Sequence, residues 1–271
     1  MREKRLPWFE QSIARITNTA LQALGQYAEL LQQQRNSPLP KREVLIASAI
    51  AYIALGNEQK ASVCALQARP LFAAGTVNWY ICTNIAVRSH LLQADATRAS
   101  TLLLEARSQK RMGVNSGLQE IKRKMLEAYC DSLQHVICKS PPRRGRPLQR
   151  TRDLLNEIRD TSTARHYHVA LHIWLLVESI AQHKLEQYEE TLLRLRRSIQ
   201  RSKNLRSESR LVTFVEFLYQ SMRNPPTQQD LRKYSKRLES LSLVYSENEI
   251  VRFEILGKLL VNSEQRVASS E

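Results

Sequence analysis

Glycine is scarce in this chain, at 7 of 271 residues. Few sharp backbone turns can therefore cradle a phosphate or an oxyanion. None of the strings G-x-x-x-x-G-K-[ST], G-x-G-x-x-G or G-x-S-x-G occurs, so the common nucleotide-binding and hydrolase signatures are missing. The sequence predicts no catalytic residue and no cofactor. Aromatic residues make up 6%, too few for a platform that stacks single-stranded nucleic acid. Trp8, Trp79 and Trp174 are accordingly assigned to helix packing. There is no run of about eighteen apolar residues, which argues against a membrane-spanning helix. The charged start, Met1 to Trp8, has no apolar segment after it and does not read as a secretory signal. A cytoplasmic location is expected.

Cysteine is also sparse. Cys64, Cys82, Cys130 and Cys138 form no C-x-x-C pair. Cys130 and Cys138 share a predicted helix, about 12 Å apart along its axis, whereas a disulfide needs Cα atoms within about 7 Å. The expected role of all four is packing in a reduced interior.

Positive charge is abundant. Lys and Arg number 41 against 26 Asp and Glu, for a net charge of +15. Such a balance attracts polyanions or an acidic protein surface. The excess is spread out, roughly +5 in the first hundred residues and roughly +10 in the rest. A solvated surface with surplus arginine is therefore an alternative to any binding site.

Breaks rich in Gly, Pro, Ser or Asn fall at 36–40, 71–76, 112–117, 139–147 and 224–227. Softer corners fall at Gly56-Asn57, Ala94-Asp95 and Asn204. Between them, apolar residues recur at three and four, the helical period, in segments dominated by Leu, Ala, Gln, Arg, Glu and Lys. Helices are predicted over 6–34, 41–55, 58–72, 77–93, 96–110, 118–138, 148–160, 164–183, 185–202, 207–223, 228–241 and 247–262. Strand patterns are absent. Repeated antiparallel pairs with short corners predict a solenoid.

Within 42–75, Ala49, Tyr52, Gly56, Ala61 and Ala68 carry a further pattern. A small residue sits midway in the first helix, with an aromatic one turn later. Gly stands at the corner, and two small residues lie seven apart in the second helix. This segment resembles a tetratricopeptide repeat. In the next hairpin Ala94 replaces the corner Gly, while Ala99 and Ala106 keep the seven-residue spacing. From Ala61 to Ala99 is 38 residues, longer than the usual period of about 34. In 185–199, Tyr188, Thr191 and Ser198 follow the second-helix pattern loosely. The expected fold is all-α, with antiparallel hairpins stacked in a tetratricopeptide-like right-handed α-solenoid. It forms one domain over 1–271. Its parts are an N-terminal helix (1–36), repeat-like hairpins (41–138), a basic Pro/Arg loop (139–147), C-terminal hairpins with a closing helix (148–262) and a tail (263–271).

The resemblance implies that first helices line a concave groove that holds a protein segment. By register, Asn84 and Arg88 fall in that groove one turn apart, suited to a carboxylate. Ordinary surface polarity is the other reading. Ile46, Ile50 and Ile53 either face the groove or lie under the N-terminal helix.

The loop 139–147 contains Arg144-Gly145-Arg146-Pro147, which resembles the core of an AT-hook. Gly permits close approach to the minor-groove floor, and Arg follows its negative potential. Arg143, Arg144 and Arg146, with Arg150 and Arg152, are candidate polyanion contacts; a solvated connector is the alternative. A second basic run, Arg194, Arg196, Arg197, Arg201, Lys203, Arg206 and Arg210, follows acidic Glu186, Glu189 and Glu190. Arg194, Arg197 and Arg201 are its candidate contacts, although helix-dipole and i,i+4 pairing explain much of it. His168 and His172 share a helix face, but no third ligand lies near in sequence, so no metal is expected. The sequence thus predicts a non-catalytic interaction scaffold or adaptor with a protein partner, acidic in character. A nucleic-acid-associated subunit is the alternative.

Overall fold

The computed structural model describes residues 25, 26, 29, 41–109, 117–138, 147–159, 167–181, 185–202, 204, 205, 208–223, 227–241, 246 and 248–258. Regular structure among them is entirely helical. The elements are α1 (Lys41–Ala54), α2 (Glu58–Ala68), a 3-10 turn (Arg69–Leu71), α3 (Val77–Leu92), α4 (Ala96–Ser108) and α5 (Gly117–Cys138). They continue with α6 (Pro147–Arg159), α7 (Tyr167–Ala181), α8 (Leu185–Arg201), α9 (Ser209–Arg223) and α10 (Gln228–Glu239). The starts and stops of the helices predicted between 41 and 241 are met within a few residues, and the helix predicted over 6–34 lies outside the described residues apart from 25, 26 and 29. At α2 the departure has a local cause: Pro70 has no N–H to donate, so the helix tightens into the 3-10 turn.

Each helix packs on the next in chain order, from α1·α2 through α9·α10. In addition α1 packs on α3, α3 on α5 and α5 on α7. Helices α1, α3, α5 and α7 thus form a layer of their own.

The first two corners share one geometry. Gly56 has φ 72°; its N–H bonds the Ile53 carbonyl at 3.2 Å, and the Asn57 N–H bonds that of Tyr52 at 2.8 Å. Ala94 has φ 59°, and the same pair of bonds runs from Ala94 to Leu91 (2.9 Å) and from Asp95 to His90 (2.8 Å). This is the 6→1 and 5→2 pattern that closes a helix with a left-handed residue. Asn57 then caps α2 through Lys60 N at 3.1 Å, and Asp95 caps α4 through Arg98 N at 3.1 Å. The 38-residue step read from the alanines is therefore also a step in backbone conformation.

Ala49, Ala61, Ala68, Ala99 and Ala106 are all buried, where a small side chain lets helix axes approach. One apolar cluster runs from Ala49 to Leu256, and a smaller one holds Leu45, Ile46, Phe72, Trp79 and Tyr80. Ile46 and Ile53 are buried and Ile50 is packed against the smaller cluster, so these isoleucines are covered. Trp174 lies fully buried, 4.2 Å from the Tyr129 ring. Cys64, Cys82 and Cys130 are buried and not in disulfides; burial pushes the Cys82 thiol up to about 12.

The last described segment corrects the sequence expectation. Helix begins only at 253, and residues 248–252 are irregular rather than part of a helix from 247. Their side chains and backbone are committed elsewhere. The Ser246 hydroxyl accepts from Asn248 N at 3.1 Å and donates to Glu208, a local bond that competes with helix. Ile250, Val251, Phe253 and Leu256 are buried in the main cluster. This segment reaches back to the first hairpin, because Arg252 pairs with Glu58 at the start of α2.

Candidate functional site

The groove candidates Asn84 and Arg88 lie on α3. Asn84 is half-buried. Arg88 is only 6% exposed, and its guanidinium donates to the Ser246 carbonyl. The sequence reading placed an external carboxylate there. The closing segment of the same chain takes that position instead, and it does so with a backbone oxygen.

The segment is held on its other side by Arg210 of α9. Arg210, the last member of the second basic run, is buried. Its Nε and Nη2 donate to Glu249 at 3.0 and 2.8 Å, and Nη2 also reaches Glu254 at 2.8 Å. Nη1 donates to the Leu238 carbonyl at 2.8 Å. Burial alone would lower the pKa of this guanidinium, but the two carboxylates outweigh it and raise the pKa. Glu208 accepts from Asn248 Nδ2 at 2.9 Å, and the Tyr234 hydroxyl donates to the Phe253 carbonyl at 3.1 Å. A buried polar clasp therefore ties α9 and α10 to α2 and α3.

Sequence reasoning missed one constellation. The Ser62 hydroxyl lies 3.2 Å from His90 Nε2, and His90 Nδ1 lies 3.8 Å from Asp95 Oδ2. The order of groups is that of a nucleophilic triad. The geometry is that of a tie between α2 and α3. Ser62 is 5% exposed, and Asp95 already caps α4 while lying 3.4 Å from Arg98 Nε. Burial lowers the pKa of His90, against the pull of Asp95. No sequence motif joins residues 28 apart in this way, so only the fold reveals it.

His168 and His172 on α7 stand with ring centroids 6.2 Å apart. Burial pulls His172 down to about 4, helped by the nearby His168 and Arg194. No group of three metal-ligating side chains occurs among the described residues.

The basic candidates divide. Arg143, Arg144 and Arg146 lie outside the described residues. Arg150 is in the first turn of α6, its side chain not among those described, and Arg152 on α6 is half-buried. On α8, Arg194 pairs with Glu190 and Arg196 lies over the Tyr219 ring at 4.2 Å. Arg197 and Arg201 are exposed and make no ion pair among the described residues. Four exposed cations on α10 were not anticipated: Arg232, Lys233, Lys236 and Arg237. Their signal was present as two i,i+4 pairs opposite the buried Leu231, Tyr234 and Leu238.

Exposed large apolar side chains lie on α2, on the 3-10 turn and on α4. They are Val63 (49%) and Leu66 on α2, Leu71 in the 3-10 turn and Leu104 (52%) on α4. The Arg69–Glu105 pair at 2.7 Å ties the end of α2 to α4 beside them. No described helix is long and apolar enough to cross a membrane. No family model matches this chain, and neither a curated protein nor a solved structure matches it.

Proposed function

We propose that this chain is a non-catalytic interaction scaffold, built as a tetratricopeptide-like right-handed solenoid whose own end fills its groove. Support for the repeat reading comes from the matched corners at Gly56 and Ala94. The second-neighbour packing of α1, α3, α5 and α7 adds to it. The observation that carries the binding role is the set of exposed aliphatic side chains Val63, Leu66, Leu71 and Leu104.

Protein interfaces have an apolar centre with a polar rim. Three of the cations around these residues are already matched: Lys60 with Glu29, Arg69 with Glu105 and Arg98 with Asp95. The partner of this face is thus a protein surface with an apolar contact, rather than the acidic segment that net charge alone suggested. At the groove position of Asn84 and Arg88, the Arg88 guanidinium already donates to the Ser246 carbonyl, which a partner there would have to displace.

The test is affinity capture from nuclease-treated lysate of cells that express the protein, comparing wild type with Val63→Asp plus Leu104→Asp. Both positions are exposed, so the variant should melt like wild type. It should lose the captured proteins. Identical capture by the two proteins would contradict the assignment.

A further inference from the structure

We infer that the outer sides of α8 and α10 form a contact for the phosphate backbone of nucleic acid, with Arg197, Arg201, Arg232 and Lys236 as its cations. This goes beyond the scaffold reading and uses a different face. It gives the nucleic-acid alternative a defined location, which the sequence had divided between a loop and α8.

Three observations carry it. The first is pairing. On the N-terminal helices, Lys60, Arg69 and Arg98 are matched by carboxylates, while Lys41, Arg42 and Arg107 are exposed without an ion pair among the described residues and serve as the comparison below. Arg197, Arg201, Arg232 and Lys236 are exposed and have no ion-pair partner among the described residues. Cations already neutralised by carboxylates release few counterions when they meet a polyanion; unpaired ones supply the binding energy.

The second is placement. Arg197 and Arg201 are one turn apart on α8, facing away from buried Leu192, Leu195 and Ile199. Arg232 and Lys236 repeat that spacing on α10, facing away from Leu231, Tyr234 and Leu238. Helix α9 links the two rows. Its Tyr219 carries Arg196 of α8 at 4.2 Å, and its Glu216 lies 3.3 Å from Arg237 of α10. The two rows therefore lie on helices that both pack against α9. Axes of packed helices lie about 8–10 Å apart, so the rows are spaced widely enough to reach more than one phosphate.

The third separates nucleic acid from an acidic protein. A protein interface needs an apolar centre. None of the exposed large hydrophobic side chains lies on α8, α9 or α10. Backbone contact with nucleic acid needs no such centre; it needs mobile, unpaired cations.

The experiment is an anisotropy titration of the full chain with a mixed-sequence duplex at two salt concentrations. Arg197→Gln, Arg201→Gln, Arg232→Gln and Lys236→Gln are combined in one variant. A control variant removes the same charge elsewhere, through Lys41→Gln, Arg42→Gln, Arg98→Gln and Arg107→Gln. Thermal melts check that both remain folded. The first variant should bind at least about tenfold more weakly at low salt, and its salt slope should fall by about three to four units. The control should lose much less. Equal losses in the two variants would mean that only net charge matters, and would overturn the site. No wild-type binding at low salt would overturn it too. Tighter binding of polyglutamate than of duplex, abolished by the first variant, would assign the face to an acidic protein instead. None of these outcomes depends on Val63 or Leu104, so this inference and the scaffold reading fail separately.

Discussion

Replacing Arg210 with Met removes the donor at the centre of the clasp. The cost can be worked from its contacts. Glu249 is 3% exposed and receives two hydrogen bonds from Arg210, at 3.0 and 2.8 Å. Glu254 and the Leu238 carbonyl each lose a 2.8 Å bond as well. Glu249 keeps the Phe253 N–H at 3.2 Å and Arg252 Nη1 at 3.8 Å, but water cannot readily replace the two donors it loses, so a buried carboxylate is left under-compensated. Breaking a buried pair from one side costs about 3–5 kcal/mol. For a chain of this size that lowers Tm by on the order of 10 °C. Adding Glu249→Leu to Arg210→Met should recover much of the loss, because a buried ion pair contributes little over an apolar pair of similar volume. Urea unfolding of the wild type, both single variants and the double variant gives all the terms. A single-variant loss below about 1 kcal/mol would refute the reasoning, since that is the scale of an exposed pair.

The two corners give opposite outcomes. Gly56→Ala places a Cβ at φ 72° and should cost about 1–2 kcal/mol, while Ala94→Gly relieves φ 59° and should stabilise by up to about 1 kcal/mol; thermal melts of both variants check this. Ala61→Leu overpacks a fully buried position and should cost about 1–3 kcal/mol by urea titration, and an unchanged midpoint would place the repeat register elsewhere. His172 is held neutral by burial, with a folded pKa of about 4 against about 6.5 unfolded. The unfolded chain then binds more protons between those values, so stability is complete above about pH 6.5 and falls as pH drops towards 4, by up to about 3 kcal/mol. His172→Gln should flatten the melting temperature over that window, and an unchanged pH profile would count against the assignment.

The sequence made the helices legible because their signals are local. Apolar spacing, the corner at Gly56, the caps at Asn57 and Asp95, and the small residues Ala61 and Ala68 each act within a turn or two. Arg210 and Arg88 were misplaced for the opposite reason. Each is a charged residue on a helix, and periodicity alone gives a cation no reason to turn inward. Their partners lie 39 and 158 residues away, at a distance that helical spacing does not encode. The closing segment hid its role in the same way: 248–252 has helix-forming residues whose contacts with α2, α3 and α9 draw it out of the helix. The unpaired cations of α10 were visible as i,i+4 pairs, but only the fold shows which residues of α8 and α9 lie beside them.

The Arg252–Glu58 contact, across 194 residues, is the most direct mark of closure of the chain on itself. A double-mutant cycle with Arg252→Gln, Glu58→Gln and the pair, read by urea unfolding, measures that contact alone. Closure predicts a coupling of at least about 1 kcal/mol, because both side chains are largely buried. A coupling within about 0.3 kcal/mol of zero would mean that the two ends act independently. The groove at Asn84 and Arg88 would then be open to a partner.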